Sequence, residues 1–286
     1  MDISTAIGNT PLIKINDKLY AKLETYNPTG SIKDRIALYI LSKAEWRKEI
    51  KPGDTIVEAT SGNTGIAFSM LGATKGYKVK IIMPCNMSEE RKQMMRLFGA
   101  EVVEVGPSDF AGAIELRNKL VNENSNYWSP RQFENIDNIE CHETTTGREI
   151  IRQLFVERKK DIGALICGSG TGGTIMGVRR ALIKINKNIK TVLITPEEDS
   201  KSHGIQGIND GADFLVERSL VDDEVKVSTN DAINRARRLA KESGILICIS
   251  AGANILGAER WVENNQFEGV AVTFLCDRGE RYMSLF

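Results

Sequence analysis

Thr55-Ile56-Val57-Glu58-Ala59-Thr60-Ser61-Gly62-Asn63-Thr64-Gly65 passes from a short β-branched run, through a polar turn with two glycines, into the apolar pattern of a helix. Residues 55–58 read as a strand and 63–75 as a helix, and the same succession recurs along the chain. Further strands are expected at 79–83, 101–105, 164–167, 191–194, 246–249 and 270–276. Helices are expected at 88–98, 109–124, 146–157, 173–185, 230–243 and 254–264. Strands that alternate with helices predict an α/β fold with largely parallel sheets. Two stretches, 123–146 and 195–221, are long and weakly periodic, and loops of that kind tend to carry function.

The composition narrows the functional classes. Among 286 residues, 41% are hydrophobic and 27% charged, with 38 basic and 38 acidic side chains that cancel. That is a globular composition with room for one large or two modest cores. Balanced, interleaved charge provides no footprint for nucleic acid or for a membrane surface, so a small-molecule ligand is expected. The five cysteines (Cys85, Cys141, Cys167, Cys248 and Cys276) include no CxxC pair and suit reduced thiols in a cytoplasmic protein. With only His142 and His203, a multi-histidine metal site is not expected. Met1-Asp2-Ile3-Ser4-Thr5 lacks the pattern of a leader, and no apolar run reaches the roughly 18 residues needed to span a bilayer.

Four strand-to-helix turns and one lysine carry the chemistry. Thr60-Ser61-Gly62-Asn63-Thr64-Gly65 combines hydroxyls, an amide and the open N–H groups of a helix start, a receptor suited to a carboxylate. Gly168-Ser169-Gly170-Thr171-Gly172-Gly173-Thr174 lets backbone approach a phosphate closely. It also satisfies GxGxxG, with Glu197 beyond the next strand, so a dinucleotide fingerprint competes for this loop. Ser250-Ala251-Gly252-Ala253-Asn254 and Cys276-Asp277-Arg278-Gly279-Glu280-Arg281-Tyr282 are further polar strand ends. In Asn27-Pro28-Thr29-Gly30-Ser31-Ile32-Lys33-Asp34-Arg35, Ser31 can cap a helix that places Lys33 in its first turn. The helix dipole disfavours a cation there, by about 0.3–1 kcal/mol, and so favours the free amine that attacks a carbonyl. A lysine, a phosphate cup and a separate carboxylate receptor are together what an enzyme needs to hold pyridoxal phosphate and an amino acid.

In this order the motifs resemble the cysteine synthase group, O-acetylserine sulfhydrylases and cystathionine β-synthases, within the tryptophan-synthase-β-like (fold type II) pyridoxal phosphate enzymes. The resemblance runs from Ile7-Gly8-Asn9-Thr10-Pro11-Leu12 through the lysine stretch, TSGNTG, Gln132-Phe133-Glu134-Asn135, His142 with Thr145-Thr146-Gly147, and GTGGT to the tail. The tail CDRGERY resembles that of the B-type enzymes. The resemblance implies two open, largely parallel sheets flanked by helices, with a smaller movable domain over 37–136 and a larger one over 1–36 plus 137–286. It implies Lys33 as the Schiff-base lysine, Asn63 at the ring hydroxyl, and Gly170, Thr171, Gly172, Gly173 and Thr174 at the phosphate. Thr60, Ser61, Thr64 and Gln132 would bind the substrate carboxylate, and Ser250 or Asp277 would meet the pyridine nitrogen. A homodimer is implied as well.

The implied reaction is β-replacement or β-elimination on cysteine or an O-activated serine through an α-aminoacrylate, with sulfide or another thiol as nucleophile and Lys33 moving the α-proton. Two departures stand out: Ala59 replaces a usual proline, and Gly207-Ile208-Asn209-Asp210-Gly211 carries an acid in the loop expected to face the substrate. Asp210 suggests an alternative in which cysteine is consumed and hydrogen sulfide released, with serine, pyruvate or a thioether as product. An NAD-dependent dehydrogenase and a non-catalytic regulatory subunit are the remaining rivals.

Overall fold

The computed structural model describes residues 2–199, 204–208 and 213–286. In chain order its strands are β1 (Leu12–Lys14), β2 (Leu19–Leu23), β3 (Thr55–Ala59), β4 (Lys78–Pro84), β5 (Glu101–Val105), β6 (Tyr127–Trp128), β7 (Ile162–Gly168), β8 (Lys190–Pro196), β9 (Asp223–Val227) and β10 (Val270–Leu275). The helices are α1 (Lys33–Trp46), α2 (Asn63–Lys75), α3 (Glu89–Leu97), α4 (Phe110–Glu123), α5 (Asp137–Thr144), α6 (Thr146–Ile151), α7 (Gly173–Leu182), α8 (Thr229–Ser243) and α9 (Ile249–Asn264). Helix α6 continues as one π-helical turn over Arg152–Val156.

The chain forms two compact units, Met1–Ile7 with Asn27–Asp137 and Gly8–Tyr26 with Asn138–Phe286. Helix α1 is unbroken from Lys33 to Trp46. The first unit holds a four-stranded sheet, β5-β4-β3-β6, whose pairings are all parallel. The central strands β3 and β4 bury both faces. Ile56, Ile81 and Met83 join a core with α1, α2 and Met95 of α3, while Val57, Ala59 and Ile82 pack with Ala113 of α4. This two-sided burial is why these strands read as continuous apolar runs rather than alternating ones.

The second unit holds a six-stranded sheet, β1-β2-β10-β7-β8-β9, parallel except for the antiparallel β1–β2 pair. Helix α9 packs on β10, β7 and β9 and against α8, and α7 packs on β7 and α6. The expected strand at 246–249 does not form. Ile247 makes a single antiparallel bridge to Arg278, and Cys248 then starts α9 by accepting the Ala251 N–H on its sulfur. The helix expected from 254 therefore begins at Ile249, and the loop expected over 123–146 contains β6 and α5.

Helices α8 and α9 approach so closely that a Cβ on Gly252 would overlap the Ala232 carbonyl oxygen. Intrinsic propensity alone would make Gly252→Ala stabilising by about 1 kcal/mol. The backbone overlap outweighs it, because neither helix can move without disturbing the sheet. Gly252→Ala is expected to destabilise the protein by about 1–3 kcal/mol, read as a lower urea midpoint.

Candidate active site

In the first unit the strand order reverses between β3 and β6, since the chain proceeds from β3 to β4 on one side and returns in β6 on the other. Open parallel sheets bind ligands beyond the carboxyl ends of strands at such a reversal. The 60–65 turn leaves β3 there, and Gln132 follows closely after β6, which explains how residues far apart in sequence meet. The Thr64 hydroxyl donates to Gln132 Oε1 at 2.6 Å, and both residues are buried. Thr60, also buried, accepts the Gly62 N–H on its hydroxyl at 3.2 Å. Ser61 and Asn63 are partly exposed.

Helix α2 begins with no side-chain cap. Its first N–H groups lie next to the Thr64–Gln132 pair, and donors of this kind suit a carboxylate. Arg91 supports the turn from behind. Its Nη1 donates to the Ser61 carbonyl at 3.2 Å, and a Cβ on Gly62 would lie only 2.5 Å from Arg91 Cδ. Glycine at 62 is thus required by the packed arginine.

Lys33 is the first residue of α1, and Ser31 Oγ accepts its N–H at 3.2 Å. The preceding turn is held firmly. Gly30 adopts φ 79° and donates its N–H to the Asn27 carbonyl at 2.7 Å. The buried Asp34 carboxylate accepts the Thr29 N–H at 2.7 Å and the Thr29 hydroxyl as well. Between buried Ser31 and Asp34, Lys33 itself is partly exposed.

The second unit has its own reversal, between β10 and β7. Asn254 joins the two strand ends there: Oδ1 accepts the Gly168 N–H at 2.8 Å, and Nδ2 donates to the Phe274 carbonyl at 2.9 Å. The 168–174 loop follows β7 and turns into α7 at Gly172, which has φ 89° and provides no side-chain cap. A Cβ on Gly170 would lie 2.6 Å from the Gly207 carbonyl oxygen, and one on Gly173 would overlap Asn138 Oδ1. Asn138 donates to Thr171 Oγ1 at 3.0 Å, and Thr174 Oγ1 pairs with His142 Nε2 at 3.2 Å. The other ring nitrogen of His142 meets Thr146 Oγ1 at 2.9 Å.

Of the two pyridine-nitrogen candidates, Ser250 lies in the first turn of α9, its Oγ 3.1 Å from Cys248 Sγ. The Asp277 carboxylate accepts the Tyr282 hydroxyl at 2.8 Å and lies 4.0 Å from Arg281. Burial pushes the thiols of Cys167 and Cys248 well up, so both stay protonated and inert. Asp210, singled out in the sequence, falls outside the described residues. Asn138, Arg91 and Glu58 lie outside the motifs that the sequence singles out. For Glu58 a signal existed, a lone carboxylate inside a β-branched strand.

These groups suit pyridoxal phosphate: an uncapped helix start with glycine backbone and flanking hydroxyls matches a phosphate, and a lysine in a first helical turn matches an aldehyde. Residues 3–277 match the pyridoxal-phosphate dependent enzyme family, and the chain belongs to it. Relatives within that family include cysteine synthases. It is 42% identical to the cysteine synthase of Staphylococcus aureus, with 99% of this chain and 95% of that protein covered. To cysteine synthase B of Escherichia coli it is 40% identical, with coverage of 99% and 94%. The crystal structure of a hydrogen sulfide-producing enzyme from Fusobacterium nucleatum matches with a TM-score of 0.92 at 38% identity, over 99% of this chain and 89% of that one. The fold is therefore that of the fold type II enzymes, and pyridoxal phosphate is the cofactor, which sets the dinucleotide reading aside.

Gly173→Ala forces Asn138 away from Thr171 and opens the loop. The variant is expected to bind pyridoxal phosphate at least roughly tenfold more weakly, the consequence of losing about 1.4 kcal/mol, in absorbance titrations of the apoprotein.

Proposed function

We propose that the chain is a B-type-like cysteine synthase that replaces the β-substituent of an O-activated serine, O-acetylserine being the model substrate, with sulfide. The observation that carries this reading is the Thr64–Gln132 hydrogen bond, which unites the two segments of a carboxylate receptor at the uncapped start of α2. The similarity to cysteine synthases along nearly the whole chain agrees with it.

Each residue has a task. Thr60, Ser61, Thr64 and Gln132 hold the substrate carboxylate and so fix the direction of the bond that breaks. Gly170, Thr171, Gly172, Gly173 and Thr174 hold the phosphate, Asn63 donates to the ring hydroxyl, and Ser250 meets the ring nitrogen. Asp277 is the weaker candidate for that last role, because Tyr282 and Arg281 already engage its carboxylate. The bound cofactor supplies an electron sink for the substrate Cα. Lys33 anchors the cofactor, removes the α-proton and later returns it. The start of α1 suits this work because the helix dipole disfavours the protonated amine. The protein is further proposed to act as a cytoplasmic homodimer.

A second reading, release of hydrogen sulfide from cysteine, is favoured by the likeness to the Fusobacterium enzyme that produces it. In that reading Asp210 activates the second nucleophile.

Two experiments test these proposals. The purified holoenzyme should show a visible absorption band that borohydride abolishes, and should form cysteine from O-acetylserine and sulfide. Lys33→Ala should lose both the band and turnover, and turnover that survives this substitution contradicts the assignment. With cysteine as sole substrate, Asp210→Asn should release sulfide at least roughly tenfold more slowly, in the range of a lost general base; equal release removes Asp210 from the mechanism.

A further inference from the structure

Glu58 is fully buried in β3, directly before the receptor turn, and takes no part in the chemistry described above. Its Oε1 accepts the Ala59 N–H at 2.8 Å and Arg117 Nη1 at 3.3 Å, while Oε2 accepts the backbone N–H of Gln132 at 3.2 Å. One carboxylate therefore holds the strand end that leads into Thr60 and also the backbone of the residue that meets Thr64. Arg117 is as deeply buried, and its Nη2 reaches Glu134 Oε1 at 3.5 Å, on the other side of Gln132. Asn118 Oδ1 takes two further N–H groups of the same guanidinium, at 3.1 and 2.9 Å.

The segment so held is strained. Arg131, immediately before Gln132, adopts φ 49°, a conformation that a side chain with a Cβ resists. Its carbonyl accepts the N–H groups of both Glu134 and Asn135 and closes the turn downstream, leaving Glu58 as the acceptor for the Gln132 N–H. Burial pushes the Glu58 carboxyl up, and Arg117 with the two backbone N–H groups opposes that shift. A buried ion pair of this kind is seldom a net source of stability, which directs attention to the geometry it imposes.

We propose that Glu58, paired with Arg117, is a positioning residue for substrate binding: it fixes the strained 131–132 turn so that the Gln132 side chain stands in register with Thr64 and the 60–65 turn. This rests on the reading of Gln132 as a carboxylate ligand. Glu58 does not itself touch the substrate. In Glu58→Gln a single amide oxygen faces donors that two carboxylate oxygens now satisfy, so the hold on Gln132 loosens while side-chain volume is kept.

The test uses holoenzyme with O-acetylserine and sulfide, in wild type, Glu58→Gln, Gln132→Ala and the double variant. Glu58→Gln should raise KM for O-acetylserine roughly tenfold with kcat within about twofold and the cofactor absorption band unchanged, the pattern of lost ground-state binding. In the Gln132→Ala background the same substitution should add less than about twofold, because its effect passes through Gln132. Full multiplication of the two effects, or a fall in kcat with KM unchanged, overturns the proposal. A Gln132→Ala enzyme with unaltered KM overturns the carboxylate-receptor reading on which it rests, a different result from non-coupling. Should Glu58→Gln not fold, Arg117→Lys is the second route: it should raise KM in the same direction and be absorbed by Gln132→Ala, and an unaltered KM there counts against the proposal.

Discussion

A parallel strand that hands over to a helix leaves the first N–H groups of that helix without partners inside it, and in this protein the starts of α2 and α7 carry no side-chain cap. Both α2 and α7 are preceded by glycine and begin beside a reversal of strand order. Helices α4 and α8, by contrast, carry side-chain caps. Asp109 accepts the Gly112 N–H ahead of α4, and Ser228 accepts the Asp231 N–H ahead of α8. An uncapped start retains N–H groups and dipole that an anion can use, whereas a capped one has already spent them on its own side chain.

Holding such open turns in place requires groups behind them, and these are charged or amide side chains buried to an unusual degree. Arg91 supports the 60–65 turn, Asn138 the 168–174 loop, and Asn254 the ends of β7 and β10. Lys22 plays a comparable structural part in β2. Fully buried, it donates to the Thr10 carbonyl and Gln153 and pairs with Glu149 at 2.7 Å. A buried ion lacking such partners would be costly, and Lys22 is fixed by several bonds at once. The rigidity of these buried groups accounts for the close glycine contacts nearby, where no side chain would fit.

Residues buried on both faces of a sheet made much of the fold legible. Helix α2 and strand β5 occupy the expected residues, because glycine or polar punctuation bounds an unambiguous pattern. Strand β2 was hidden by Lys22, whose charge interrupts an apolar run although its partners satisfy it inside the core. Strand β9 was missed because, as an edge strand, it carries charge, Asp223-Glu224-Val225-Lys226-Val227, where apolar residues mark central strands. The strand expected at 246–249 fails for the opposite reason, since a short apolar segment serves a strand or a helix start equally well. The turns and Lys33 are legible as candidates for chemistry, whereas the contacts of Glu58 and Asn138 join elements distant in sequence, which no local pattern encodes.

The account stands on the claim that these two uncapped helix starts receive two different anions. Diffraction from crystals of the holoenzyme soaked with a slowly reacting amino acid tests it most directly. The account predicts the cofactor phosphate within hydrogen-bonding distance of residues 170–174, and the amino-acid carboxylate on the N–H groups at the start of α2 and on the Gln132 side chain. A carboxylate bound away from residues 60–65 and Gln132 would contradict it.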